Sequence, residues 1–178
     1  MRHLPNFLSL LRILLGPWCA WAILHNDYRT ALGLFLIAGV TDFLDGFLAK
    51  RLGWGSAAGA YIDPLADKAL MVMVYAALGV AGAVPLWLVG LVFGRDLMIL
   101  GGVALMYARR GRKQFPPTMA GKVSTVLQIG AALAVMSVEN AIVPEGVRWV
   151  AIGAVAVGTA YSGLDYIRIG WRMLHAPR

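Results

Sequence analysis

The fold is decided by residues 41–68, TDFLDGFLAKRLGWGSAAGAYIDPLADK. Apolar sequence lies on both sides of this stretch. Its middle part, Lys50 to Gly59, contains three glycines and two cationic residues. This composition predicts a short turn that joins two antiparallel membrane helices.

The rest of the chain extends the same pattern. Of its 178 residues, 60% are hydrophobic and 14% are charged, whereas soluble domains carry about 25% charged residues. A membrane-spanning helix needs about 20 apolar residues. We therefore predict an all-α fold, a bundle of six transmembrane helices that forms a single domain over residues 1–178. The six apolar stretches are 7–24, 30–49, 64–82, 85–107, 122–139 and 147–169.

The distribution of charge predicts the topology. The net charge is +7, but of 16 Lys and Arg only Arg29 and Arg148 fall near the loops 25–30, 83–85 and 140–147. The positive-inside rule then places both termini in the cytoplasm. These cations either set topology alone or also attract anionic lipid of the bilayer, and we expect no nucleic-acid partner. Because no organellar presequence precedes the first stretch, we expect a bacterial inner membrane.

Four of the nine acidic residues lie within 26 positions: Asp42, Asp45, Asp63 and Asp67. An Asp at the centre of a membrane helix costs about 2.5–3.5 kcal/mol, so four of them require cations or water. On helices, each pair shares one face, and the turn between the helices brings both pairs to the same membrane surface. Carboxylates without His or Cys favour hard cations. We therefore predict two Mg²⁺ or Mn²⁺ ions that clamp a pyrophosphate.

The spacing of these residues resembles a family signature, that of the CDP-alcohol phosphatidyltransferases. The family pattern is D-x-x-D-G-x-x-A-R, eight residues, then G-x-x-x-D-x-x-x-D. The chain reproduces it except at Lys50, which stands where the family has Arg and lacks the bidentate fork of a guanidinium. The matching positions are Asp42, Asp45, Gly46, Ala49, Gly59, Asp63 and Asp67.

Within this family, four segments look most like the cardiolipin synthases of the CDP-alcohol type. Phosphatidylglycerophosphate synthases share much of the pattern but tend to carry Arg-Glu where this chain has Arg95-Asp96. The segments are Leu4 to Arg12, Tyr61 to Lys68, Arg95-Asp96 and Gly121 to Thr125.

The resemblance implies metal-dependent transfer of a phosphatidyl group from CDP-diacylglycerol to phosphatidylglycerol, which yields cardiolipin and CMP. Asp42, Asp45, Asp63 and Asp67 would hold the metals, and Asp67 would also act as the catalytic base. An active site near the cytoplasmic face and a homodimer are implied as well. The residues expected to contact the CDP-lipid are Asn6, Ser9, Arg12, Gly46, Ala49, Lys50 and Gly59.

Several assignments have a structural alternative. Arg95 and Lys122 are expected around the phosphate of an anionic phospholipid acceptor, but Arg95 and Asp96 could instead form an ion pair with each other. Asn6, Ser9 and Arg12 could be helix-entry residues, and Gly46 and Gly59 could serve close helix packing.

Two other functions remain open from the sequence. A phosphatidylglycerophosphate synthase would use glycerol 3-phosphate as its acceptor. A small cation or proton transporter would also carry intramembrane carboxylates, but it would not need two carboxylate pairs with a glycine beside each.

Overall fold

The computed structural model describes residues 4–52, 59–110 and 118–175, with side chains for 12–41, 67–102 and 118–172. Over these ranges the chain forms six α-helices and no strand, which confirms the all-α prediction. The helices are α1 (Leu4–Leu24), α2 (Tyr28–Leu52), α3 (Gly59–Val80), α4 (Leu86–Arg110), α5 (Met119–Glu139) and α6 (Gly146–His175).

Each helix corresponds to one apolar stretch of the sequence, and most helices extend beyond it. The largest extension is at the end of α6, which reaches His175. At α3 the helix begins at Gly59 and not at Pro64, so Asp63 also lies on the helix. Among the described residues, two segments are long and apolar enough to cross a membrane, Met119–Glu139 and Gly146–Arg172. Arg12–Leu24 and Tyr28–Thr41 are shorter apolar helices. Six spans therefore remain a prediction.

Helix α1 lies at the centre of one half of the bundle, where it packs against α2 and α3. In the other half, α6 packs against α4 and α5, and contacts of α5 with α2 and α3 join the halves. The buried core consists mainly of apolar side chains. Its largest fully buried members include Ile23, Tyr75, Leu78, Leu88 and Met136.

The outer surface of the bundle carries many large apolar side chains. Trp18, Val80, Val126, Trp149 and Val157 are each more than 60% exposed. Contiguous apolar surface on this scale is unusual for a protein in water, whereas a lipid bilayer accommodates it. The surface is therefore consistent with the membrane location that the composition indicates.

Three odd-numbered helices end in the same backbone motif. The residues after α1, α3 and α5 with positive φ are Asn26 (59°), Gly82 (77°) and Ala141 (55°). In each case the next residue along the chain donates its N–H to a carbonyl five positions earlier, over 2.9 Å. This is the Schellman arrangement, which satisfies the last carbonyls of a helix. The three motifs define one end of the bundle, called here the turn end.

The helix after the first of these turns is capped by Asp27. Its carboxylate accepts a hydrogen bond from the backbone N–H of Thr30 at 3.1 Å. Hydrogen bonds from the side chain and backbone of Thr30 lower the pKa of Asp27 below its usual value. The α1–α2 turn is therefore specified on both sides, by Asn26 at the end of α1 and Asp27 at the start of α2.

Candidate active site

A cavity of about 610 Å³ lies between the two halves of the bundle, away from the turn end. Its polar lining includes Arg12 of α1, Asp67 and Lys68 of α3, and Asp96 of α4. The remaining walls are largely apolar side chains from α2, α3 and α5. A space with one charged region and long apolar walls suits a lipid that has a charged headgroup.

The first charged contact in the cavity joins α1 to α3. Arg12 donates from Nη1 to Oδ1 of Asp67. The Arg12 side chain is 1% exposed, whereas that of Asp67 is 45% exposed. The arginine is thus fixed in the protein interior, while the carboxylate remains accessible from the cavity. This is the arrangement expected of a carboxylate that must reach a ligand and still keep a defined orientation.

A second charged contact joins α3 to α4. The Asp96 carboxylate accepts from Lys68 Nζ at 2.7 Å through Oδ2 and from Arg95 Nη1 at 2.9 Å through Oδ1. Asp96 therefore pairs with two cations from different helices. The mutual ion pair of Arg95 and Asp96, one of the two alternatives from the sequence, is present.

Arg95 is anchored on its other side by α6. Its Nε and Nη2 donate to Ser162 Oγ at 3.2 and 2.7 Å. Its guanidinium carbon lies 5.5 Å from the centre of the Tyr166 ring, which is within the range of a cation–π interaction. Arg95 is 9% exposed. Its side chain therefore connects α4 to α6 and holds Asp96 in position.

The start of α5 is attached to the same cluster. Thr118 caps the helix by accepting a hydrogen bond from Gly121 N–H at 3.0 Å, and its own N–H donates to Tyr166 Oη at 3.4 Å. A Cβ on Gly121 would lie only 2.9 Å from Tyr166 Oη and 3.1 Å from Arg95 Nη2. The glycine thus permits the close approach of α5 to Arg95 and Tyr166.

Lys122 is exposed at the beginning of α5. It precedes Thr125 and Ile129, which line the cavity, by three and seven positions, so all three share one face of the helix. The structure therefore puts Lys122 on the continuation of a cavity wall. Its expected contact with an acceptor phosphate stays a prediction, as does that of Arg95.

The other expected site residues fall outside the described side chains. Their backbones lie on helices whose neighbouring residues line the cavity. Asp42 and Asp45 lie three positions apart on α2, and Asp63 and Asp67 four apart on α3, so each pair shares a helix face. The remaining positions are Asn6 and Ser9 on α1, Gly46, Ala49 and Lys50 on α2, and Gly59 at the start of α3.

The donor set of the expected metal site fits a hard divalent cation. All four residues offer carboxylate oxygens, which Mg²⁺ and Mn²⁺ prefer, and Asp67 lines the cavity. Within the described side chains, no group of three or more His, Cys, Asp or Glu is close enough together to hold a metal. Three of the four expected ligands, Asp42, Asp45 and Asp63, are outside that set.

Comparison with known proteins identifies the family. The family model of CDP-alcohol phosphatidyltransferases matches residues 2–160. The chain belongs to this family.

Curated relatives of the chain include several phosphatidyltransferases. The cardiolipin synthase (CMP-forming) of Rattus norvegicus is 41% identical over 120 residues, which cover 66% of this chain and 38% of the rat protein. A chloroplastic CDP-diacylglycerol–glycerol-3-phosphate 3-phosphatidyltransferase of Oryza sativa is 36% identical over 146 residues, 71% of this chain and 44% of the rice protein. A putative cardiolipin synthase of Mycobacterium bovis is 36% identical over 124 residues, covering 68% and 58%. The chain thus spans roughly two fifths to three fifths of these relatives.

Several polar residues around the cavity were not singled out from the sequence. They lie within apolar stretches, most of them buried, and each alone is common in membrane helices. Their helical spacing is the signal that could have revealed them, since Ser124 and Gln128 are four positions apart on α5, and Thr159, Ser162 and Tyr166 follow at three and four on α6.

Proposed function

We propose that this CDP-alcohol phosphatidyltransferase transfers the phosphatidyl group of CDP-diacylglycerol to phosphatidylglycerol and so forms cardiolipin and CMP. The observation that carries this proposal is the cavity, in which Arg12, Asp67, Lys68 and Asp96 meet long apolar walls. Curated relatives that bear the name cardiolipin synthase support this choice of acceptor.

The cavity can accommodate both parts of a CDP-lipid. Apolar side chains such as Phe35, Leu70 and Leu133 would contact acyl chains, and the charged region would receive the diphosphate. The residues proposed to contact the nucleotide and diphosphate are Asn6, Ser9, Arg12, Gly46, Ala49, Lys50 and Gly59. Among these, Arg12 has a described side chain, and it lines the cavity.

The metal set proposed for this site is Asp42, Asp45, Asp63 and Asp67, with two Mg²⁺ or Mn²⁺ ions. Such ions, when bound, neutralise the charge of the diphosphate and of the departing CMP. Asp67 accepts the proton of the attacking hydroxyl, and Arg12 holds the Asp67 carboxylate in position.

The reaction is a direct transfer. The acceptor oxygen forms a bond to the phosphorus of the phosphatidyl group, the phosphorus–oxygen bond to CMP breaks, and the hydroxyl proton passes to Asp67. No covalent enzyme intermediate is needed, so a single-turnover trap should detect no phosphatidyl-enzyme adduct.

The proposed acceptor phosphate site is formed by Arg95 and Lys122. Lys122 is exposed on the cavity-lining face of α5, while Arg95 already has Asp96 and Ser162 as partners. In this proposal Arg95 adds positive charge near the acceptor phosphate, while its two partners hold its side chain in place. We further propose six membrane spans, a homodimer, and a bacterial inner membrane with both termini and the charged region on the cytoplasmic side.

A second acceptor has specific support. The rice relative is named for glycerol 3-phosphate as its acceptor, and Lys122 could bind the phosphate of either molecule. This alternative keeps the donor, the metals and the proton transfer unchanged.

The test is product identification with purified protein, CDP-diacylglycerol, and Mg²⁺ or Mn²⁺. Cardiolipin formed with phosphatidylglycerol supports the proposal, and phosphatidylglycerophosphate formed with glycerol 3-phosphate replaces the acceptor. Asp67→Asn should abolish both products. If wild-type protein releases no CMP under any of these conditions, the transferase proposal is wrong and an ion pathway becomes the better explanation.

A further inference from the structure

A polar cluster on the inner side of α5 lies directly behind the cavity wall. Gln128 is 4% exposed, and its neighbours Ser124 and Thr159 are 1% and 0% exposed. Gln128 Nε2 lies 3.4 Å from both hydroxyl oxygens. Tyr75 donates from Oη to the Gln128 backbone carbonyl at 2.9 Å. The two hydroxyls hold the Nε2 end of the Gln128 side-chain amide against α6, while Tyr75 fixes the backbone of α5 at this position.

The other end of the amide has a different environment. Gln128 lines the cavity, and within the described part of the chain no hydrogen bond reaches its Oε1. This oxygen is not among the buried polar atoms that lack a partner, so it is accessible from the cavity and can bind a partner there. That partner must be a hydrogen-bond donor, because a carbonyl oxygen only accepts.

The proposed acceptors supply such a donor. Phosphatidylglycerol and glycerol 3-phosphate each carry two hydroxyls next to one another, and only the primary hydroxyl attacks phosphorus. The secondary hydroxyl stays intact throughout the reaction. Gln128 lines the same cavity as Asp67, the proposed base, and Asp96. The proposal places one hydroxyl against Asp67 and its neighbour against the amide.

We propose that Gln128 is a specificity residue whose Oε1 accepts a hydrogen bond from the non-reacting secondary hydroxyl of a glycerol headgroup. This inference rests on the proposed function and deepens it, because it explains how a glycerol acceptor is distinguished from a simple alcohol. Ser124 and Thr159 act indirectly, since they orient the amide and do not touch the acceptor.

The test compares two acceptors that differ by one hydroxyl. Phosphatidyl-1,3-propanediol keeps the reacting primary hydroxyl of phosphatidylglycerol and lacks only the secondary one. Wild-type protein should prefer phosphatidylglycerol by about tenfold in kcat/KM, the effect of one buried hydrogen bond. Gln128→Met, which keeps the shape and loses the oxygen, should bring the preference to within about twofold of unity. The variant should lower kcat/KM for phosphatidylglycerol and leave kcat/KM for phosphatidyl-1,3-propanediol unchanged.

Two further variants separate recognition from structure. Gln128→Glu keeps an acceptor oxygen and should retain a preference for phosphatidylglycerol. Thr159→Val removes one of the two hydroxyls that orient the amide and should weaken the preference, but less than Gln128→Met does. Should Gln128→Met fail to fold, Gln128→Leu takes its place, and a wild-type protein without the preference overturns the inference without any variant.

The outcomes also distinguish a failure of this inference from a failure of the proposed function. CMP release by wild-type protein without a preference between the two lipids overturns the role of Gln128 and leaves the transferase proposal standing. A preference that persists in Gln128→Met overturns it as well. If glycerol 3-phosphate is the only acceptor used, 3-hydroxypropyl phosphate takes the place of the propanediol lipid. Absence of CMP with every acceptor overturns the proposed function and the inference together.

Discussion

Both ends of the bundle are organised around an arginine, but the two arginines have different surroundings. At the turn end, Arg148 is enclosed by Glu139 at 2.8 Å, Glu145 at 2.7 Å and the Ala83 carbonyl at 3.0 Å. It therefore joins the α3–α4 turn to the α5–α6 turn. In the cavity, by contrast, Arg12 is buried against a carboxylate that is 45% exposed.

The difference shows how one chain separates stability from chemistry. The carboxylates at the turn end complete a contact between loops. In the cavity, nearly half of the Asp67 side chain is accessible, while the Arg12 side chain that contacts it is buried. Charge pairs of the same kind thus serve a structural purpose at one end and prepare a ligand site at the other. The following variants test this separation.

The largest expected effect comes from Arg12→Gln. Removing the guanidinium leaves Asp67 without its fixed partner, so CMP release should fall by at least about 100-fold, the usual cost of losing one positioned charged donor in an active site. Stability should fall only moderately, because water can hydrate the accessible carboxylate but Gln fills less of the space of the buried Arg12 side chain. Steady-state kinetics and thermal unfolding in detergent measure the two effects. Activity within threefold of wild type would show that this contact has no catalytic importance.

The second comparison uses a matched pair of carboxylate-to-amide changes. Asp96→Asn weakens the contacts to both Lys68 and Arg95 and should lower kcat/KM by about tenfold. Glu139→Gln makes the same chemical change at the turn end and should leave kcat/KM unchanged. Equal losses of activity in the two variants would contradict the proposed division between the ends.

Arg148→Leu tests the turn end directly. The substitution removes contacts to two loops and leaves Glu139, which is 24% exposed, without a cation. We expect a loss of about 1–3 kcal/mol in the free energy of unfolding, measured by denaturant titration in mixed micelles. At temperatures below the transition, KM and kcat should equal those of wild type, and a selective fall in kcat would place Arg148 in the catalytic machinery.

The smallest expected effect concerns the positive-φ residues of the turns. Ala141 has a φ of 55°, a conformation that costs a residue with a Cβ about 1–2 kcal/mol, so Ala141→Gly should stabilise the protein by about 1 kcal/mol. Gly82 has a φ of 77°, and no other atom obstructs an added methyl group. Gly82→Ala should therefore destabilise the protein by a similar amount, through the unfavourable φ alone. Opposite shifts in the unfolding transition are the expected result. Shifts of the same sign would mean that φ is not the cause.

The helices were largely predictable because apolar length is a strong signal. Each predicted stretch contains most of one observed helix, and the difference at α3 has a simple origin. The hydropathy pattern excluded Gly59 to Asp63, whereas the backbone continues as a helix from Gly59. Polar residues near a membrane surface do not stop a helix, so hydropathy underestimates its length at that end.

The site was predictable only where residue types are rare in membrane helices. Aspartates and arginines stand out against an apolar background, and Arg12 and Asp67 were both singled out. Their pairing across α1 and α3 was not expected, because sequence separation says nothing about which helices are neighbours. Ser162 and Gln128 were missed for a related reason, since small polar residues are frequent in membrane bundles of any function.

The most direct test of the central claim is CMP release measured with and without divalent metal. Purified protein is treated with EDTA, given CDP-diacylglycerol and phosphatidylglycerol, and then titrated with Mg²⁺ or Mn²⁺ beside Asp67→Asn and Glu139→Gln. We expect no CMP release in EDTA. Added metal should restore CMP release in wild type and Glu139→Gln but not in Asp67→Asn. Full CMP release in EDTA, or an active Asp67→Asn variant, would contradict the central claim.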